Sequence, residues 1–342
     1  MRPRFAAAVA LTTTAAIALT GCTKKNETDS GVTGDAGSKT YKVAFVPKLQ
    51  GVPYFEAMNA GGKEAAKALG NVEWLYQGPT QADAAAQADI VRSYIQQKVD
   101  ALIVAPNDPD SMAPLLQQAK DAGIHVATAD TDAPNSVREV FVNQATAQGI
   151  GEGLTDALLK EMGGKGKYAI VSCGQTAENL NAWIKVQQEY TKSKYPDAQI
   201  VDVVYAGEDQ AKATQMATDL MNAHPDLTGL VGECTSSAPG VAQAVKDAGK
   251  IGKVFTVGLG TPQSMKPYLR DKSSSAAILW DVENLGYLTA WAGAQIAQGK
   301  TIEATNNVSG ELPAVTYDAS SKMLLLGPAL AITDQNVDQF DY

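Results

Sequence analysis

Beyond residue 40 the sequence predicts an α/β protein made of two doubly wound, parallel-sheet lobes. Three observations carry this reading. Short, wholly apolar runs such as Ala101-Leu102-Ile103-Val104-Ala105 are too brief for buried helices and suit strands covered on both faces. Each run is followed by a longer segment whose apolar residues recur at helical spacing. The alternation fills residues 42–143 and starts again at residue 147, so the chain divides into two similar halves.

Taken in order, residues 42–47 form the first strand, and the helix at 54–69 carries Phe55, Met58, Ala65 and Leu69 on one face. A strand at 72–76 precedes a helix at 82–98 whose apolar face is Ile90, Val91, Tyr94 and Ile95. The third strand is 101–105, and the helix at 111–122 ends at Gly123, a common helix stop. Strands at 125–129 and 140–143 complete the first half. In the second half helices at 147–162, 178–194, 210–223 and 238–248 alternate with strands at 168–173, 200–205, 229–232 and 254–258. A later strand occupies 276–279.

The first 22 residues read as an export signal. Arg2 and Arg4 precede an apolar run over residues 5–19 that is too short to span a bilayer comfortably, and Leu19-Thr20-Gly21-Cys22 has the form of a lipoprotein cleavage site. The expectation is that residues 1–21 are removed, Cys22 is acylated and residues 22–40 form a polar tether; the other reading is an ordinary secretory signal with a chance cysteine. Either places the working part outside the cytoplasmic membrane, at the cell surface or in the periplasm, away from cytosolic ATP and NAD. The formal charge of −9 becomes −11 once Arg2 and Arg4 are lost, which disfavours nucleic acid as a partner.

Ligands of doubly wound sheets sit beyond the carboxyl ends of the strands. There the first half carries Lys48-Leu49-Gln50-Gly51-Val52-Pro53-Tyr54-Phe55, then Asn107-Asp108, then Asp130-Thr131-Asp132. The second half carries Cys173-Gly174-Gln175, Glu233-Cys234-Thr235, Gly258-Leu259-Gly260 and Trp280-Asp281. Carboxylates, amides and a lysine saturate the hydroxyls of a polyol, while aromatic planes cover its C–H face. Lys48 leaves a buried strand and needs either a ligand or a site carboxylate. Asp130 is expected to touch the ligand. Asp108 either caps the following helix or reaches the ligand, Asp132 is either a turn residue or a contact, and one of Tyr54 and Phe55 packs into the core.

Phosphate-loop and Gly-x-Ser-x-Gly motifs are absent, and Gly258-Leu259-Gly260 lacks the third glycine of a dinucleotide fingerprint, so no cofactor is expected. His125 and His224 lie far apart without a Cys-x-x-Cys, so no metal site is expected either. An exported glycosidase would have to use a carboxylate pair such as Asp130 and Asp132.

FVPKLQGVPYF, the Gly78-Pro79-Thr80 turn, Thr128-Ala129-Asp130-Thr131-Asp132, Asn181-x-Trp183, LWDVENLGY at 279–287 and the ending at 336–342 together resemble the sugar-binding receptors of bacterial ABC importers. Within them the likeness is to the branch of rhamnose and autoinducer-2 receptors. The resemblance spans residues 41–342 and implies a type I periplasmic binding protein: a first lobe of residues 41–144 plus 282–309, a second of 145–281 plus 310–342, and a three-segment hinge. It implies a monomer that closes on a sugar and delivers it to an ABC permease, with no catalysis. A sensor-coupled receptor of the same fold is the alternative.

By position the resemblance puts Lys48, Tyr54, Phe55, Asp130, Trp280 and Asp281 in the cleft. Asn179 stands where the autoinducer-2 receptor has an aspartate, and Leu180 where it has a glutamine; Glu233 and Thr235 replace a proline and an alanine. With Asp108, Asp132 and Trp183, these complete the candidate ligand set. Thr131 replaces the arginine of ribose receptors, so neither ligand transfers directly and a neutral sugar or sugar alcohol is expected. The same architecture sets Cys173 and Cys234 at the ends of neighbouring strands, where a disulfide is geometrically possible.

Overall fold

A computed structural model describes residues Lys39–Tyr342 apart from Gly310. The signal segment, Cys22 and most of the tether lie outside the described residues. Among the described residues no helix is long and apolar enough to cross a membrane.

The first half runs β1 (Tyr41–Val46), α1 (Pro53–Leu69), β2 (Val72–Tyr76), α2 (Ala84–Gln97), β3 (Ala101–Val104), α3 (Pro109–Asp121), β4 (His125–Ala129) and β5 (Val140–Asn143). The second runs α4 (Ala147–Glu161), β6 (Gly166–Ser172), α5 (Glu178–Lys194), β7 (Ala198–Tyr205), α6 (Gln210–Ala223), β8 (Leu227–Gly232), α7 (Ser237–Asp247), β9 (Phe255–Gly258), α8 (Pro262–Arg270) and β10 (Ala276–Leu279). The chain finishes with α9 (Val282–Ala297), β11 (Thr305–Asn306), β12 (Val315–Asp318), β13 (Met323–Leu325) and β14 (Leu330–Ile332).

The two halves build the same parallel pattern, β2-β1-β3-β4-β5 in one sheet and β7-β6-β8-β9-β10 in the other. The strand order reverses between β1 and β3 in the first sheet and between β6 and β8 in the second. At such a switch point the flanking helices leave on opposite faces and a crevice opens at the carboxyl ends. Cys173 and Cys234, just past β6 and β8, are joined by a disulfide with their Cα atoms 6.1 Å apart. It closes a loop over a sequence separation of 61, a constraint of about 4 kcal/mol on the unfolded chain in the loop-entropy picture.

The tail differs from the expected division at residue 309. β13 pairs in parallel with β5 (Met323↔Phe141) and β12 pairs antiparallel with β13, so residues 315–325 belong to the first sheet. Among the described residues β14, antiparallel to β10, and the segment after it return to the second lobe, where Gln263 N bonds to Tyr342 O, so the last crossing lies between Leu325 and Leu330. The signal for this is nonlocal: three residues of β13 find a partner strand far upstream, and nothing in their own pattern names it.

One apolar core spans both lobes. Further cores lie under α2 and α3 (Val91, Leu102, Leu116) and under α6 and α7 (Ala213, Leu230, Val241). The first lobe also depends on a close pair of helices, α1 and α9. Eleven of the sixteen residues of α9 are buried, so it lacks a polar face and follows no amphipathic stripe. Its Gly286 lies against the backbone of Met58 and Gly61 of α1 against that of Glu283, so a methyl at either position would overlap a carbonyl oxygen. Gly286→Ala is therefore expected to lower stability by about 1–3 kcal/mol or more. A chemical denaturation midpoint equal to that of the unaltered protein would contradict this packing.

Candidate functional site

The loops after β1 and β3 are tied together before any side chain reaches the site. The Gln87 amide, fully buried on α2, donates to Pro47 O (2.9 Å) and Ala105 O (2.7 Å) and accepts from Asn107 N (2.9 Å). Asn107 in turn donates to Lys48 O at 2.8 Å. These bonds set the direction in which Lys48 leaves the sheet. Gln87 escaped the sequence reading because its helix position carries no motif.

Lys48 Nζ donates to Asn179 Oδ1 at 3.0 Å and lies 3.6 Å from Asp130 Oδ2. Asp130 sits in the left-handed region, with φ 65°, which aspartate tolerates better than most residues and which commonly marks a site held by its surroundings. Tyr54 donates to its Oδ1 at 2.7 Å and Thr131 Oγ1 to its Oδ2 at 3.0 Å. Burial, reinforced by the Asp130 charge, pushes the Tyr54 hydroxyl well above its ordinary pKa, so it remains a donor. Asn179 belongs to α5 in the second lobe and its Nδ2 reaches Asp130 O at 3.4 Å, so the lysine–aspartate pair is bridged across the lobes. Thr176 Oγ1 bonds to Asn107 O at 3.0 Å in the same way.

Around this polar centre stand aromatic rings. Tyr54 meets Phe55 edge-on at 5.0 Å and Trp280 at 6.0 Å, and Trp280 meets Trp183 at 5.8 Å. All four border a cavity of about 40 Å³ together with Lys48, Asp130, Asn179 and Thr235. Trp280 Nε1 is buried with no hydrogen-bond partner among the described residues, a donor available to a hydroxyl. Both Tyr54 and Phe55 reach the cavity while remaining buried, so neither is core alone.

Four expected contacts are elsewhere. Asp108 caps α3, accepting from Ser111 N at 2.8 Å, which holds its carboxyl below the usual range. Asp281 caps α9 through Asn284 N at 2.8 Å. Asp132 takes Arg138 on both carboxylate oxygens, also accepts from Thr128 Oγ1 at 2.6 Å, and does not line the cavity that Asp130 borders. Glu233 turns inward to Gln187.

Other side chains reach the cavity without having been expected there: Val52, Leu180, Leu259, Leu279, Cys234 and, most consequentially, Glu208. Glu208 follows β7, and inspecting the carboxyl end of every strand would have found it. Glu208, Cys173 and Cys234 bring their ligand atoms within 4.8 Å of one another, but the disulfide removes the thiolates a metal would need.

The model of the periplasmic binding protein domain matches residues 43–301. A D-ribose/D-allose-binding protein of Pseudomonas aeruginosa is 30% identical over 269 residues, covering 75% of this chain and 82% of its own. Among solved structures, LsrB from Clostridium saccharobutylicum in complex with AI-2 superposes with a TM-score of 0.82 at 29% identity, covering 88% of this chain and 100% of that one. An ABC transporter solute-binding protein from Clostridium phytofermentas with bound L-rhamnose gives 0.82 and 29%, covering 88% and 98%.

Glu233 carries its own consequence. It is fully buried, and both of its oxygens lie 2.7 Å from Gln187 Nε2 with no ion-pair partner among the described residues. Burial pushes its carboxyl up to about 8, a rise that the Gln187 bond only partly opposes. The folded state therefore holds a proton that the unfolded chain releases above its ordinary value of 4.5, so stability declines as pH rises from there towards 8. Glu233→Gln is expected to remove that decline, worth about 1.4 kcal/mol per unit of separation, and to melt above the unaltered protein at pH 9 but not at pH 4. An equal difference at both pH values would contradict it.

Proposed function

The chain belongs to the periplasmic binding protein domain family, among the sugar-binding proteins of ABC importers, and on that premise we propose that it captures a neutral sugar or sugar-like solute between its two lobes. Members of this family are non-enzymatic; they act outside the cytoplasmic membrane and hand sugars to a permease. The solute proposed is of the rhamnose, other aldose, sugar alcohol or autoinducer-2 class. The protein is proposed to work as a monomer anchored through an acylated Cys22 and the tether at residues 22–40.

The observation that carries the reading is the buried Lys48–Asp130 pair, walled by Tyr54, Phe55, Trp183 and Trp280. A ligand hydroxyl bonded to a charged group is worth about 1.5–3 kcal/mol, and three or four such bonds reach micromolar affinity. The cavity, at about 40 Å³, is far smaller than the roughly 300–1,000 Å³ of ordinary ligand pockets, so entry requires the lobes to separate. Their crossings follow β5, β10 and β13. A solute that replaces the Lys48–Asn179 bond with its own bonds to both residues favours the closed arrangement by differential contact. The departures at Asn179, Leu180 and Thr235 leave the individual sugar to experiment.

Thermal melts of the purified protein against D-ribose, D-allose, L-rhamnose, xylitol and autoinducer-2 test the proposal. At 100 times the dissociation constant, a true ligand adds about 2.7 kcal/mol and raises the midpoint by a few degrees. The shift should vanish in Asp130→Asn and Lys48→Met. A shift that survives both substitutions, or none with any compound, would count against it.

A further inference from the structure

We propose that Glu208 is the second lobe's charged contact to the solute and sets which charge the cavity admits: polyhydroxylated or amine-bearing sugars are taken and acidic ones refused. The inference rests on the sugar-binding reading above and adds to it a residue and a selectivity.

Glu208 is held in place by backbone. Ala206 N bonds to Ser172 O at 2.8 Å and Gly207 N to Cys173 O at 3.1 Å, so the turn after β7 is fastened to the end of β6. Gly207 has φ 70°, a conformation that favours glycine and swings the next side chain back over the strand ends. The carboxylate is anchored on one side only. Ser236 Oγ donates to its Oε2 at 3.2 Å, and Cys234 Sγ, which carries no proton in the disulfide, lies 3.6 Å from the same oxygen. Oε1 has no hydrogen-bond partner among the described residues.

The charges around it do not balance. Lys48 is the cation of the cavity, and its ammonium is already committed to Asn179 and Asp130. Asp130 is itself committed, with Oδ1 receiving Tyr54 and Oδ2 receiving Thr131. Two carboxylates thus face one ammonium, and the uncommitted charged acceptor is Glu208 Oε1. Burial pushes the Glu208 carboxyl up, only partly opposed by Lys48 and Ser236. A hydroxyl or an ammonium on the solute relieves that excess, and a carboxylate or phosphate deepens it.

Glu208 also borders an adjoining groove lined by Lys48, Thr80, Asn107, Gln175, Asp209 and Lys212. It therefore lies where the cavity and this groove meet, with Asp130 as the first lobe's carboxylate on the same cavity. Each lobe contributes one carboxylate, so the selectivity operates only when the lobes are closed.

Two of the four tryptophans, Trp183 and Trp280, wall the cavity, so the test titrates tryptophan fluorescence with D-ribose, L-rhamnose, D-galactose, D-galactosamine, D-galacturonic acid and D-ribose 5-phosphate. Wild type is expected to bind a neutral or amino sugar and to exclude the two acids. Glu208→Gln should weaken the neutral or amino ligand at least fivefold and narrow the gap to the acids at least tenfold. Ser236→Ala, which loosens the carboxylate but keeps its charge, should weaken binding while preserving the gap; ligand-free melts establish that both variants are folded. The inference is overturned if Glu208→Gln leaves affinity and gap unchanged, or if Ser236→Ala closes the gap equally. Wild type that binds no sugar in the series overturns the sugar-binding reading, and this inference with it.

Discussion

A lysine and an aspartate withdrawn from water at the ends of β1 and β4 impose most of what surrounds them. Each charge is costly to bury alone and tolerable only with a partner and a full complement of hydrogen bonds. Those bonds come from the hydroxyls of Tyr54 and Thr131, while the Gln87 clamp on the β1 and β3 loops and the left-handed backbone of Asp130 hold the two residues in place. Asn179 completes the set from the other lobe. The pair therefore organises the first lobe's loops and also fixes how the second lobe meets them.

The second lobe repeats the strand order but uses its switch point differently. Where the first has a lysine and an amide after β1 and β3, the second has a disulfide joining the ends of β6 and β8. The cross-link borders the cavity through Cys234 and leaves the chemistry of that lobe to residues beside it: Asn179, Thr235 and Glu208. One fold used twice thus yields a polar wall from the first lobe and a rigid, partly apolar wall from the second. A solute that engages both walls makes its binding depend on how the lobes meet.

Elements with strong local patterns were legible in the sequence. The strands at 72–76, 125–129, 140–143 and 276–279 and the helices at 178–194 and 210–223 have the bounds their apolar spacing indicated. α8 was not, because Pro262 and Pro267 interrupt the pattern that marks a helix. β11 to β14 are two to four residues each and are defined by their partners. The site divides along the same line. Lys48, Asp130 and Trp280 emerge directly from strand ends and point where topology sends them. Asp132 and Glu233 leave equivalent strand ends, but Arg138 and Gln187 hold them elsewhere, and no spacing rule announces those partners. Asp108 and Asp281 precede helices, and the backbone donors of the first turn claimed both.

The proposed function requires that a sugar close the two lobes upon each other through groups contributed by both. Small-angle X-ray scattering of the purified protein, with and without the sugar that shifts its melting point, tests this most directly. A smaller radius of gyration is expected on adding that sugar, and no change in Asp130→Asn under the same conditions. A sugar that binds while the radius of gyration stays constant would contradict closure as the mechanism.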